Sequence, residues 1–144
     1  YTLYWDSWSV NKTFNCVAKV GRGGPCSSSY ECQDYNYLSC ISGTCGCTQY
    51  QYYDNVSSCE PKLNYSYPCA GTYQCRNWTS GPNLQCIFGG SVYQCLCLSS
   101  QYYDYCLDMC VAVKGWQVAC TTSSCYPSSQ CDLTKSLSCV SGLW

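Results

Sequence analysis

Residues 26–59, CSSSYECQDYNYLSCISGTCGCTQYQYYDNVSSC, place six cysteines at gaps of 5, 7, 4, 1 and 11 residues. The rest of the chain repeats and varies this stretch. Cysteine makes up 18 of the 144 residues, a density that marks an oxidised, secreted scaffold rather than a cytosolic protein. Tyrosine supplies 16 more residues, whereas large aliphatic residues are few, so one extensive core is not expected. Small modules, each held by disulfides, suit the composition better. Closing a loop of about 15 residues contributes about 3 kcal/mol on the chain-entropy account, so three bridges can replace the core that a short module lacks. The thiols could instead bind zinc, but the chain has no histidine and no C-x2-C pair.

The order of gaps, with Cys45-Gly46-Cys47 followed by a tyrosine pair and a last cysteine, resembles an EGF-like module. The segments around LSC-ISG-TCGC also resemble the EB-type cysteine-rich modules of invertebrate secreted proteins. The EGF-like resemblance implies pairing first to third, second to fourth and fifth to sixth: Cys26–Cys40, Cys32–Cys45 and Cys47–Cys59. Gln51 stands where that family usually has glycine before the aromatic. Many members bind calcium through acidic residues before the first cysteine. The lead-ins here, GRGGP before Cys26 and NYSYP before Cys69, lack the acidic pair, so no calcium ligand is carried over and no cofactor is expected.

A second module follows at Cys69, Cys75, Cys86, Cys95 and Cys97, and its LSSQYYD matches TQYQYYD, an internal repeat. The resemblance implies Cys69–Cys86 and Cys75–Cys95. The sixth position falls to Cys106 or Cys110. Cys110-VAVKG resembles Cys16-VAKVG, which favours Cys110, hence Cys97–Cys110, and Cys106 with the inserted Cys120. The other assignment is Cys97–Cys106 with Cys110–Cys120. A third module, incomplete within these residues, starts Cys125, Cys131, Cys139, implying Cys125–Cys139. Elimination then leaves Cys16 for Cys131. The domains expected are an N-terminal aromatic arm and linker (1–25), module 1 (26–59), module 2 (60–110) and an incomplete module 3 (111–144). Glycine, serine, asparagine and proline punctuate the chain every few residues, so the fold class is small and disulfide-rich. Tandem EGF-like modules of short β-hairpins and irregular loops are expected, with at most a helical turn near Cys106–Val113.

The arm, YTLYWDSWSVNKTFN, lacks cysteine and reads as strand-like or as a loose tail. Exposed Trp5 and Trp8 would form an apolar patch, which favours an ordered arm. The chain opens at Tyr1 without a signal peptide and is read as the mature part of a longer precursor. Four sequons, at Asn11, Asn55, Asn64 and Asn77, predict N-glycans and secretion to the extracellular space. One ring of each pair Tyr52–Tyr53 and Tyr102–Tyr103 is expected to cover its module's disulfides.

Only 10% of residues are charged and the net charge is −1, so neither nucleic acid nor an anionic membrane is an expected partner. No apolar run reaches the roughly 20 residues of a membrane span. Without histidine no triad is available, and Asp104 and Asp108 read as solvated surface acids rather than a glycosidase pair, so no enzyme is expected. The function expected is a structural glycoprotein that self-assembles into a filament or matrix by head-to-tail contacts between copies. Tyr4, Trp5 and Trp8 would pack near Trp144 of the next subunit. A secreted ligand, inhibitor or carbohydrate binder is the alternative.

Overall fold

A computed structural model describes residues 3–6, 15–115, 120, 130 and 131. Within them every strand belongs to a two-stranded antiparallel hairpin, helix is confined to single 3-10 turns, and no α-helix occurs. The chain divides into two compact units, Tyr1–Pro61 and Lys62–Trp144.

In the first unit β1 (Leu3–Asp6) pairs with β2 (Asn15–Ala18), β3 (Ser39–Ile41) with β4 (Thr44–Gly46), and β5 (Gln51–Tyr53) with β6 (Cys59–Pro61). The β3–β4 turn is closed by Ser42 and Gly43, both at positive φ (51° and 81°). That is the primed two-residue turn whose twist matches the strands, and glycine takes its left-handed slot without strain. In the second unit β7 (Gln85–Phe88) pairs with β8 (Tyr93–Leu96), and β9 (Gln101–Asp104) with β10 (Met109–Ala112). Residues 105–108 form a turn and 109–112 a strand, within the expectation of at most a helical turn near Cys106–Val113.

Sulfur replaces aliphatic carbon in both cores. The bonds are Cys26–Cys40, Cys32–Cys45 and Cys47–Cys59 in the first unit, and Cys69–Cys86, Cys75–Cys95 and Cys97–Cys110 in the second. Cys97–Cys110 settles the sixth position and excludes the alternative Cys97–Cys106. Cys106 and Cys120 are also disulfide-bonded. Around these bonds, among the described residues, each unit buries one leucine, Leu38 (4% exposed) or Leu84 (0%). Each stands two residues before its third cysteine. The second ring of each tyrosine pair, Tyr53 or Tyr103, packs on the same cluster.

The third and fourth cysteines face each other in register, Cys40 with Cys45 and Cys86 with Cys95. The longer gap of module 2 between these positions is taken up beyond Phe88 and Tyr93 at the hairpin tip, where Gly89 N–H donates to the Val92 carbonyl at 2.8 Å. At the other hairpin of each module an aspartate closes the turn. Asp54 Oδ1 accepts the N–H groups of Val56, Ser57 and Ser58 at 2.8–3.0 Å, and Asp104 Oδ1 accepts those of Cys106 and Leu107 at 2.9 and 3.0 Å.

One joint occurs three times. The residue four positions after a sixth cysteine pairs in parallel with the second cysteine of the next module: Val20 with Cys32, Leu63 with Cys75, Lys114 with Cys131. Each donates its N–H at 2.7 Å to the carbonyl of the residue before that cysteine: Glu31, Gln74 or Gln130. The glycine-rich segment before Cys26 is tied down as well. Gly23 N–H donates to the Cys45 carbonyl at 2.8 Å, and Cys45 N–H donates to the Gly24 carbonyl at 2.9 Å. A Cβ on Gly24 would come within 2.4 Å of Val20 Cγ1, so the close approach requires glycine.

One expectation about cysteine fails at Cys131, whose thiol is free and buried: the expected Cys16–Cys131 bond is absent. The equivalents of Cys131, Cys32 and Cys75, bond to fourth cysteines, Cys45 and Cys95. Cys16 stands opposite Trp5 as Cys59 stands opposite Tyr53 and Cys110 opposite Tyr103, so it occupies a sixth position, which elsewhere pairs with the fifth cysteine. Second and sixth positions belong to different bonds in both modules, so elimination joined positions that pair with others elsewhere. The expected Cys125–Cys139 bond lies outside the described residues.

Candidate functional sites

The three described sequons differ in setting. Asn55 is exposed at positive φ (66°) in the turn that Asp54 caps. Asn64 is exposed, and its Oδ1 accepts from Arg76 Nη1 at 3.1 Å. Asn77 is half-buried. Asn11 lies outside the described residues.

Arg76 is the hub of the second unit's polar surface. Its guanidinium meets both carboxylate oxygens of Asp108 (3.0 and 2.5 Å) and lies 5.3 Å from the centre of the Trp78 ring. Such a planar fork on a carboxylate is geometrically specific. The Tyr103 hydroxyl donates to the same carboxylate. The Arg76 hydrogen bonds hold the Asp108 carboxyl below its ordinary pKa. Burial, then the hydrogen bond to Asp108, pushes the Tyr103 phenol well above its ordinary value. Tyr65 stacks on Tyr103 with ring centres 4.3 Å apart, and Tyr105 meets both rings edge-on.

The expectation of two solvated surface acids fails at Asp104, whereas Asp108 is exposed. Asp104 is 1% exposed and closes a turn, while Asp108 is engaged by Arg76 and Tyr103. Two trios of sulfurs, Cys26–Cys32–Cys45 and Cys69–Cys75–Cys86, each lie within 4.8 Å of one another. All six are in S–S bonds, which leaves no thiolate there to act as a ligand.

Of the expected self-association residues, Tyr4 and Trp5 lie on β1, with Trp5 opposite Cys16. Trp8 and Trp144 lie outside the described residues. Tyr4-Trp5-Asp6 thereby falls in register with Tyr52-Tyr53-Asp54 and Tyr102-Tyr103-Asp104, which identifies the arm as a module's closing hairpin.

An open cleft of about 580 Å³ in the first unit had no counterpart among the expectations from sequence. Tyr37 and Tyr50, 64% and 56% exposed, line it together with Ser39, Thr48 and Gln51. Leu38 and Pro61 also line it, and so does Asp34, whose carboxylate pairs with Lys19 Nζ at 2.5 Å. Aligning the two modules on their cysteines would have exposed the signal. Tyr37 corresponds to Asn83, and Tyr50 to Ser100.

Comparison of the chain with protein-family models, with curated proteins and with solved structures found no match.

Proposed function

We propose that the chain is a structural glycoprotein of the extracellular space, built of tandem EGF-like modules, that assembles head to tail without a covalent link. The thrice-repeated joint carries this reading. It is a rule for addition: every closing hairpin supplies, four residues past its last cysteine, the backbone partner of the next module's second cysteine. β1 (Leu3–Asp6) and β2 (Asn15–Ala18) pair as a closing hairpin does, and Lys114 with Cys131 forms a joint of the same kind. All three joints are made within the chain; a closing hairpin of one copy docked on a module of the next by pairing of this kind would extend the array, and repetition without closure gives a filament. Low charge and many exposed tyrosines favour burial between subunits, since tyrosine offers large contact area and is enriched at interfaces. On this reading N-glycans at the sequons keep the array soluble, and the chain performs no catalysis.

Light scattering on the native chain after size exclusion is the test. The full chain should form species larger than a monomer that survive on a native gel but separate in non-reducing detergent. Deleting residues 1–15 removes β1 and should leave a monomer whose six assigned disulfides are unchanged. A full chain that stays monomeric at its highest soluble concentration overturns the assembly and leaves a secreted binding module.

A further inference from the structure

We propose that the cleft bearing Tyr37 and Tyr50 is a binding site for neutral oligosaccharides. The inference is independent of the assembly proposed above, since it rests on side chains that the module fold does not require.

The internal repeat separates what the fold needs from what it does not. Both modules bury a leucine two residues before the third cysteine, and both place an aromatic opposite the sixth. The residue before that leucine is left-handed in both, at φ 55°. Module 2 fills the slot with Asn83, one of the few residue types that adopt this conformation readily. Module 1 fills it with Tyr37, a bulky side chain for which the conformation is unfavourable. Its ring is mostly in solvent, so core packing does not account for the choice. Three residues after the fifth cysteine, module 2 has Ser100 where module 1 has exposed Tyr50. Two departures from the repeat, far apart in sequence, thus put two rings on one cleft.

The chemistry of the cleft selects the class of ligand. Among the described residues no cation lines it, so it offers nothing to a sulfate, phosphate or uronate. Its one carboxylate, on Asp34, already faces the Lys19 ammonium and gives no net pull on a cation. What remains is aromatic faces beside hydroxyl and amide groups. Gln51 Oε1 accepts from Thr48 N–H and Oγ1–H at 3.2 and 2.9 Å, which fixes the amide in place. A pyranose matches this set. Its C–H face meets the electron-rich face of a ring, and its hydroxyls meet amide, hydroxyl and carboxylate groups. The volume falls within the range of about 300–1,000 Å³ usual for small-ligand sites.

The test uses the full chain and three soluble probes, chitotetraose, cellotetraose and mannotetraose, titrated by calorimetry and followed by saturation-transfer NMR. The variants Tyr37→Asn and Tyr50→Ser install the residues module 2 already carries at these positions, so both should fold, as an unchanged amide spectrum would verify. At least one probe should bind with a Kd below about 10 mM. Each single variant should weaken it by about fivefold or more, and the double variant should abolish it. Three results overturn the proposal: no binding by any probe at about 10 mM, undiminished binding by a folded double variant, or the cleft preferring a heparin oligosaccharide or a proline-rich peptide.

Discussion

Replacing Leu84 with alanine tests whether sulfur alone can hold a core. Leu84 is fully buried among Cys75, Cys95 and Tyr103, and it is the one aliphatic side chain in that cluster's buried set. Truncation removes three carbons, about 2.4 kcal/mol of transfer free energy at about 0.8 kcal/mol each. The neighbours cannot close the gap freely, because two of them are tied by the Cys75–Cys95 bond. A cavity contribution therefore adds to the transfer loss, and the total should reach about 3 kcal/mol or more. That is a large share of the stability of a small domain. Guanidinium unfolding without reductant, followed by tyrosine fluorescence, measures the change. Hydrogen exchange should place it, since the Leu84 N–H bonds the Arg76 carbonyl at 3.0 Å and should lose protection. Leu38→Ala should cost a similar amount in the first unit. A loss below about 1 kcal/mol at both positions would refute the reasoning and show that the disulfides define the interior without help.

The carboxyls of Asp54 and Asp108 lie below their ordinary value of 3.8, the first through the N–H groups of Ser58, Ser57 and Val56, the second through Arg76. A lowered folded value means that their stabilisation is complete above pH 3.8 and disappears as pH falls through the folded values, so melting temperature should drop below about pH 4. An Asp54→Asn, Asp108→Asn double variant should show a shallower drop over the same range. The Tyr103 phenol is raised, so its contribution is present below its unfolded value of about 10 and is lost only in stronger alkali. Absorbance at high pH should show the Tyr103 phenol ionising late, and Tyr103→Phe should remove that component. Alkylation without reductant should leave the buried Cys131 thiol untouched in native protein and label it in guanidinium; labelling of the native state at the rate of an exposed thiol would contradict its burial. Site mapping on material from a eukaryotic secretory host should find Asn55 and Asn64 more fully glycosylated than the half-buried Asn77.

Cysteine spacing is a local code, which is why residues 26–59 were informative by themselves. Bridges, buried leucines and covering tyrosines all sit at fixed offsets from cysteines, so one module predicts much of the next. Backbone pairing leaves no such trace. Val20 and Leu63 are aliphatic and pack on their units' cores, but Lys114 makes the same joint with a charged side chain, so residue type alone does not mark the glycine-rich lead-in as part of the module. Cys131 misled because elimination counts cysteines without asking which positions can meet. Asp104 and Asp108 look alike in sequence, yet one is buried under backbone N–H groups and the other is matched to an arginine 32 residues away. The cleft was hidden for a related reason. Aligning the modules on their cysteines shows Tyr37 and Tyr50 as departures from the repeat, but that Tyr37 occupies a left-handed slot is visible only once φ is known.

The register of the two central hairpins has a consequence for how such modules can diverge. Cys40 faces Cys45, and Cys86 faces Cys95, so the sulfur framework grips each hairpin at its base and leaves the tip outside the covalent network. Module 2 already carries four more residues there than module 1, with the same bonds beneath. The tips are therefore natural ports for foreign sequence. A peptide epitope or a ligand loop spliced between Ile41 and Thr44, or between Phe88 and Tyr93, would be displayed on a clamped stem, and its length could vary while the cysteines below kept their partners.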